Sequence, residues 1–419
     1  MTTPHPEPRS LSNSSTRPRS DRAEAVFLDL MGGIDQGGVR VTLPDGHCVD
    51  CGPEPGTAQL VVRDPGVFGH TLAYGDIGFA QGWMQGHWTT SDLAALLTVL
   101  ARNRDSIARG LHGNLLYLLG HKLWTLLRAN TRRGAKKNIE AHYDLGNDFY
   151  ALWLDPTMTY SSALYADPGA VAAGSGPALS DMPLEQAQRN KVRRMLQRAG
   201  VQPGQRVLEI GCGWGGLAEI AATEFGARIH GITLSPAQLA FARERAERGG
   251  WADRASFELR DYRDVTDSFD HIVSCEMFEA VGESFWPPYF RQVHRCLKPG
   301  GRAVIQTITI RDDLFPAYRK GTDFIQRYIF PGGKLPSPAV FSRLARRAGL
   351  RIDGDFAFGL DYARTLAEWD RRFVAVHDKV RGMGFDERFC RMWRFYLAYC
   401  EAGFTAGSID VHQYELVRA

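Results

Sequence analysis

From about residue 139 onward, short apolar runs alternate with amphipathic stretches. GQRVLEIG, ARIHGIT, ASFELR, FDHIVSC and GGRAVIQTITI have the composition of buried strands, and segments such as LSPAQLAFARERAERGG between them carry helical spacing. That order predicts an α/β fold, a doubly wound and mostly parallel sheet with helical insertions. The closing stretch SIDVHQYELVRA alternates and predicts an antiparallel last strand at the sheet edge. Earlier in the chain the rhythm differs. VFLDLMGGI predicts a short helix, GVRVTLPDG and AQLVVRD predict strands between Pro and Gly turns, LAYGDIGFAQGWMQGHW a loop, and SDLAALLTVLARN a helix capped by Ser91. Together they predict a small N-terminal α/β domain over residues 23–110, preceded by a disordered leader over 1–22 that is rich in Pro, Ser and Arg.

Residues 111–138 join this unit to a catalytic domain over 139–419. The linker is leucine-rich with helical spacing and runs into Arg128, Arg132, Arg133, Lys136 and Lys137. Two readings stand: an interdomain helix with a solvated basic end, or a surface that meets anionic lipid.

Composition narrows the class. Of 419 residues, Lys+Arg number 50 and Asp+Glu 47, so no protein-wide basic field for nucleic acid is indicated. Seven scattered cysteines form no dense disulfide framework, which points to a reduced cytosolic setting. No signal peptide is read at the N-terminus, and no run of about 18 apolar residues predicts a membrane span. CVDC at Cys48–Cys51 resembles half a metal site, but no second Cys or His pair accompanies it, so it is read as a turn with two thiols and no metal is expected.

The chemistry concentrates in VLEIGCGWGG, a strand that breaks into Gly211, Gly213, Gly215 and Gly216. The Gly-x-Gly-x-x-Gly spacing alone is compatible with a dinucleotide. A dinucleotide site also wants an acid at the end of the next strand, and GITLS offers Thr233 and Leu234 instead. No GK[ST] is present to grip a triphosphate. Glu209 lies inside the strand just before the loop, an arrangement suited to S-adenosylmethionine (SAM). Asp261 and Tyr262, after the third strand, stand where an acid and an aromatic face bracket an adenine.

Several ordered stretches then carry a resemblance: AHYDLGNDFYALWLD, MTYSSALY, VLEIGCGWGGLA, GITLSPAQLAFA, DYRDV, EMFEAVGE, YIFPGGKLPS and FGLDYARTLAEW. From about residue 139 to the C-terminus the chain resembles the cyclopropane-fatty-acyl-phospholipid synthase family of SAM-dependent methyltransferases, and the N-terminal domain resembles that of its full-length bacterial members. The resemblance implies transfer of the SAM methyl to a cis double bond in an unsaturated acyl chain of membrane phospholipid. It places the enzyme in the cytoplasm, peripheral at the inner face of the membrane. For SAM it implies Tyr160, Ser161, Gly211, Gly213, Thr233, Leu234 and Gln238. Aromatics available to face a carbocation are Tyr160, Phe278, Tyr328, Phe330 and Tyr362.

In the family a bound bicarbonate acts as the base that completes ring closure. The matching positions are Glu279, Tyr362 and the backbone of Ile308. Two others depart from the usual pattern: Ser162 replaces a cysteine and Gln306 a histidine, and Ala280 stands where a further histidine is common. Serine and glutamine still donate hydrogen bonds, so an anion site is expected, with altered proton affinity. The leading expectation is cyclopropane formation. The alternatives are methyl or methylene branching without ring closure, methylation of an amine, and a membrane-binding protein with a decayed site. A homodimer would gain avidity on a bilayer.

Overall fold

The computed structural model describes residues 19–110, 145–165 and 181–418, without the side chains of 19–21 and 108–110. The basic linker over 111–138 and most of the leader lie outside the described residues.

Helix α1 (Arg19–Met31) starts within the expected leader and turns Phe27, Leu30 and Met31 inward. Beyond it, β1 (Val39–Thr42), β2 (Cys48–Cys51), β3 (Ala58–Val62) and β4 (Trp88–Thr89) form a four-stranded sheet in the order β2-β1-β3-β4. CVDC is therefore a strand and not a turn: it pairs antiparallel with β1, and Arg40 donates to Asp50 at 2.8 and 3.0 Å across the pair. Cys48 is exposed and Cys51 buried, so the thiols do not share a face. Among the described residues no cluster of three metal-ligating side chains occurs.

Most of the glycine-rich stretch expected to be a loop, up to Gln85, lies in α2 (Gly66–Gln85), which is kinked at Gly75 (φ 58°, ψ −136°). Its glycines serve close packing. A Cβ on Gly82 would stand 2.7 Å from Val67 and 2.9 Å from Trp88, and one on Gly78 would stand 2.3 Å from the His70 carbonyl oxygen. Helix α3 (Leu93–Arg102) is capped one residue later than expected: Asp92 accepts from the Ala95 amide at 2.9 Å, whereas the Ser91 hydroxyl turns toward Gln59. A short α4 (Arg104–Gly110) follows.

In the catalytic domain, β5 (Arg206–Ile210), β6 (Arg228–Thr233), β7 (Ala255–Leu259), β8 (Phe269–Cys275), β9 (Leu297–Ile310), β10 (Leu350–Ala357) and β11 (Ile409–Arg418) form one sheet. Its order is β10-β11-β9-β8-β5-β6-β7, and β5 through β9 run parallel. β11 is antiparallel, as expected, but it is not an edge: it lies between β9 and β10. The edge strand is β10, whose alternating charges in LRIDGDFA hid it among polar segments.

Helices α5 (Asn147–Ala151), α6 (Leu184–Ala199), α7 (Gly216–Thr223), α8 (Pro236–Gly249), α9 (Trp286–Cys296), α10 (Phe315–Lys320), α11 (Phe324–Tyr328) and α12 (Pro338–Arg347) follow in chain order. After β10 come α13 (Gly359–Ala375), α14 (His377–Gly382) and α15 (Glu387–Thr405). The small domain is not an independent appendage. Its hydrophobic core is continuous with that of α13 and α15. Trp83 and Arg391 exchange hydrogen bonds at 2.9 and 3.0 Å, and Gln81 donates to the Tyr328 hydroxyl at 2.6 Å.

Candidate active site

The carboxyl ends of β5, β6, β8 and β9 open into one cavity of about 780 Å³. Doubly wound sheets place ligands there because neighbouring connections leave the sheet on opposite faces and part over the strand tips.

At one end lies the glycine loop. The Gly211 and Cys212 amides both donate to the Ile232 carbonyl, at 3.0 and 2.9 Å, which fixes the loop against β6. Gly211 (φ 85°) and Gly213 (φ 50°) hold left-handed backbone, and a Cβ on Gly213 would meet nothing within 4 Å. That open space above the strand tip admits a ligand close to the backbone. Glu209 is 3% exposed, and its Oε2 has no hydrogen-bond partner among the described residues. Burial raises its proton affinity well above the ordinary carboxylate range, opposed by the nearby charge of Lys191. An orphaned buried acid facing a cavity fits a ligand that brings its own cation and donors.

Thr233 donates to Gln238 Oε1 at 3.0 Å and accepts from the Ser235 amide, which fixes the turn into α8. Gln238, Thr233 and Leu234 all line the cavity. So does Tyr262, whose hydroxyl burial pushes up to about 12. Asp261 is placed differently. It caps a short turn through the Arg263 amide, and its carboxylate pairs with the Arg263 guanidinium at 2.5 Å. It is not among the cavity-lining residues.

The 158–162 loop closes the cavity from the other side. Tyr160 donates to the Tyr396 hydroxyl at 2.8 Å, and its ring packs on Trp153 and Trp369. Ser161 accepts from Lys191 Nζ at 2.5 Å. Lys191 on α6, 1% exposed, thereby stands between the glycine loop and the reacting end.

At the reacting end, sequence reasoning missed the central residue. Glu276, at the tip of β8, lines the cavity and holds a left-handed backbone (φ 50°) that is unusual for a side chain with a Cβ. Its Oε1 accepts from the Ser162 amide at 2.9 Å and from Gln306 Nε2 at 2.7 Å, and its Oε2 accepts from the Tyr362 hydroxyl at 2.6 Å. Gln306 is oriented in turn, because Gln413 donates to its carbonyl at 3.0 Å and Arg194 donates to Gln413 at 2.5 Å. Burial holds the Glu276 carboxyl above the ordinary carboxylate range, a rise that Lys191 and these hydrogen bonds only partly offset.

Glu279 stands beside it and accepts from the Ile308 amide. Its Oε2 has no partner among the described residues, and burial together with the charge of Glu276 pushes it up to about 8. Ser162 and Gln306 are fully buried behind Glu276 and do not line the cavity, whereas Glu279, Ile308 and Tyr362 do. Of the candidate aromatics, Tyr160, Phe330 and Tyr362 face the cavity. Phe278 belongs to the core with Trp286 and Phe341, and Tyr328 turns to Gln81. The available signal for Glu276 was the departure at Gln306, whose side chain donates to this glutamate three residues before Glu279; Ser162 meets it only through its backbone amide, and its hydroxyl turns to the Ala163 carbonyl.

Residues 130–414 match the family described as mycolic acid cyclopropane synthetase. Over 383 residues the chain is 41% identical to the tuberculostearic acid methyltransferase of Mycobacterium tuberculosis, covering 91% of this chain and 88% of that one. It is 34% identical over 358 residues to the cyclopropane-fatty-acyl-phospholipid synthase of Escherichia coli, covering 85% and 87%. Among solved structures, a mycolic acid cyclopropane synthase complexed with SAH and CTAB is 30% identical with a TM-score of 0.61, covering 67% of this chain and 98% of that one. The described residues contain no helix long and apolar enough to cross a membrane. On these matches, and on a glycine loop that fits SAM, the chain belongs to the mycolic acid cyclopropane synthetase family of SAM-dependent methyltransferases.

Proposed function

We propose that the protein methylates a cis double bond in an unsaturated acyl chain of membrane phospholipid, leaving a methyl or methylene branch, with the Glu276 carboxylate as base. The observation that carries this reading is the occupancy of the expected bicarbonate cradle. Ser162, Gln306 and Tyr362 all direct their hydrogen bonds to Glu276. A second anion would find those donors spent on the carboxyl group already there. The residues present do not fit bicarbonate, and no step is assigned to it.

Bound at Gly211–Gly213, SAM supplies an electrophilic methyl group. Glu209 is suited to its ammonium and Lys191 to its carboxylate, with Ser161, Thr233, Leu234, Gln238 and Tyr262 around the remainder. The alkene π pair forms the new carbon–carbon bond, the carbon–sulfur pair stays on sulfur, and a cation is left on the neighbouring chain carbon. The faces of Tyr160, Phe330 and Tyr362 stabilise it in a dry site.

A proton then leaves to Glu276. Its Oε2 carries one hydrogen bond against two on Oε1, which leaves a lone pair for the transfer. If the C–H pair of the transferred methyl closes onto the cation, a ring forms; if the C–H pair of the methyl-bearing carbon forms the double bond, a methyl-branched alkene results; and if that hydrogen first shifts as hydride to the cationic carbon, proton loss from the methyl leaves a methylene branch. Glu279, pushed up to about 8, remains protonated at neutral pH, and it stands as a neutral acid beside the proposed base.

The identity to the tuberculostearic acid methyltransferase supports the branched product, and that to the Escherichia coli synthase supports ring closure as the second reading. Proton NMR of fatty esters recovered after incubation with SAM and monounsaturated phospholipid vesicles separates them. Olefinic signals from a branched chain are expected, and high-field cyclopropane protons would transfer the assignment to ring closure.

A further inference from the structure

The cavity does not stop at the catalytic domain. Beyond the seam between the domains it continues into the small N-terminal domain, among Phe27 and Leu30 of α1, Leu60 of β3, and Leu97, Leu100 and Ala101 of α3. The first four are core residues with exposures of 1 to 8%, so this end is cut into the domain's own hydrophobic interior. The family match begins at residue 130 and leaves the whole lobe outside it.

At the seam, Asp76 accepts from the Tyr399 hydroxyl at 3.1 Å and from the Phe324 amide at 3.4 Å, just after the kink at Gly75. Asp76 itself is exposed to solvent at the seam. Arg104 stands at the exposed rim.

We infer that the N-terminal lobe receives the methyl-terminal half of the substrate acyl chain and thereby sets which double bond reaches Glu276. The inference rests on the acyl-chain reading above. The reason is solvation. Buried apolar walls gain free energy from hydrocarbon, roughly 25 cal/mol per Å² covered. An ester or head group placed there without hydrogen-bond partners would lose a few kcal/mol, on the order of 2 to 7. The ester end is therefore excluded from the buried apolar end of the lobe, which takes the methyl terminus. The length of the lobe pocket then limits the number of carbons between the double bond and the chain terminus.

Ala101 and Leu100 are only half-buried, so they can be changed with little disturbance to the core. Ala101→Trp shortens the lobe pocket and Leu100→Ala lengthens it. The full-length protein and both variants are tested on vesicles of dipalmitoleoyl, dioleoyl and di-cis-vaccenoyl phosphatidylglycerol. Palmitoleoyl and cis-vaccenoyl chains carry the same methyl-terminal segment, whereas oleoyl carries one that is two carbons longer. Palmitoleoyl and oleoyl share the ester-side segment.

The expected result for Ala101→Trp is a fall of at least tenfold in kcat/KM for oleoyl relative to both others, with SAM affinity unchanged. Leu100→Ala should shift preference the opposite way. Selective loss of cis-vaccenoyl would mean that the lobe measures from the ester, and equal effects or none on all three would mean that it measures nothing; either overturns the inference. Absence of product from the unmodified protein with every vesicle would instead refute the acyl-chain reading.

Discussion

The two ends of the catalytic cavity are built on neighbouring strand tips of one sheet, β5 and β6 for the cofactor and β8 and β9 for the reaction, and solve opposite problems. At the cofactor end, glycines replace side chains, and a buried acid, Glu209, keeps an oxygen without a partner among the described residues. At the reacting end, a side chain supplies an anion, Glu276, and three groups of the chain satisfy it. The first end is incomplete without a ligand. The second already holds a carboxyl group whose hydrogen bonds the chain supplies, and it holds it in a left-handed backbone that costs on the order of 1 kcal/mol. Orphaned polar atoms mark where a small molecule completes a site, and satisfied ones mark where the protein has done so itself.

The largest expected effect comes from removing the internal anion. Glu276→Gln keeps the shape and loses the base, and product formation should fall by about 10² to 10⁴-fold while SAM affinity measured by calorimetry stays the same. Tyr362→Phe removes one hydrogen bond to that carboxylate, and kcat should drop by about 10 to 100-fold. At the other end, Glu209→Gln should weaken SAM binding by about 10-fold and leave the ratio of products from bound substrate unaltered.

The smallest change is a shift in pH dependence. Gln306 lowers the proton affinity of Glu276 by donating to it, so Gln306→Leu raises it. The base is then ionised only at higher pH, and the acid limb of the kcat/KM profile should move upward by roughly one unit. A movement downward, or none, would show that Gln306 does not act on Glu276.

Much of the fold was legible because its signals are local. The strand–glycine–helix unit at Val207–Gly216 and the alternating order after residue 139 predicted the sheet and the cofactor end. The N-terminal lobe was harder. In α2 the glycines permit close approach of Trp88 and Val67, a reason that appears only once the chain is packed. β10 was hidden by its charged outward positions, and β11 could not be placed between its neighbours without the pairing.

At the reacting end, sequence reasoning reached Glu279, Tyr362, Gln306, Ile308 and Ser162 but not the group at their centre. Ser162, Gln306 and Tyr362 contact Glu276 from positions 114, 30 and 86 residues away along the chain, and no spacing rule connects them. Asp261 shows the converse, since a residue in a suitable local context is taken by its neighbour Arg263.

The most direct test of the internal anion is product formation in buffer stripped of carbon dioxide and bicarbonate, comparing the unmodified protein with Glu276→Gly. Glycine suits the left-handed backbone at this position and frees the three donors for an external anion. The account predicts that the unmodified protein turns over at an unchanged rate without bicarbonate, and that the Glu276→Gly variant is inactive until bicarbonate is added. A rate for the unmodified protein that collapses on depletion and returns with bicarbonate would contradict the assignment of Glu276 as the base.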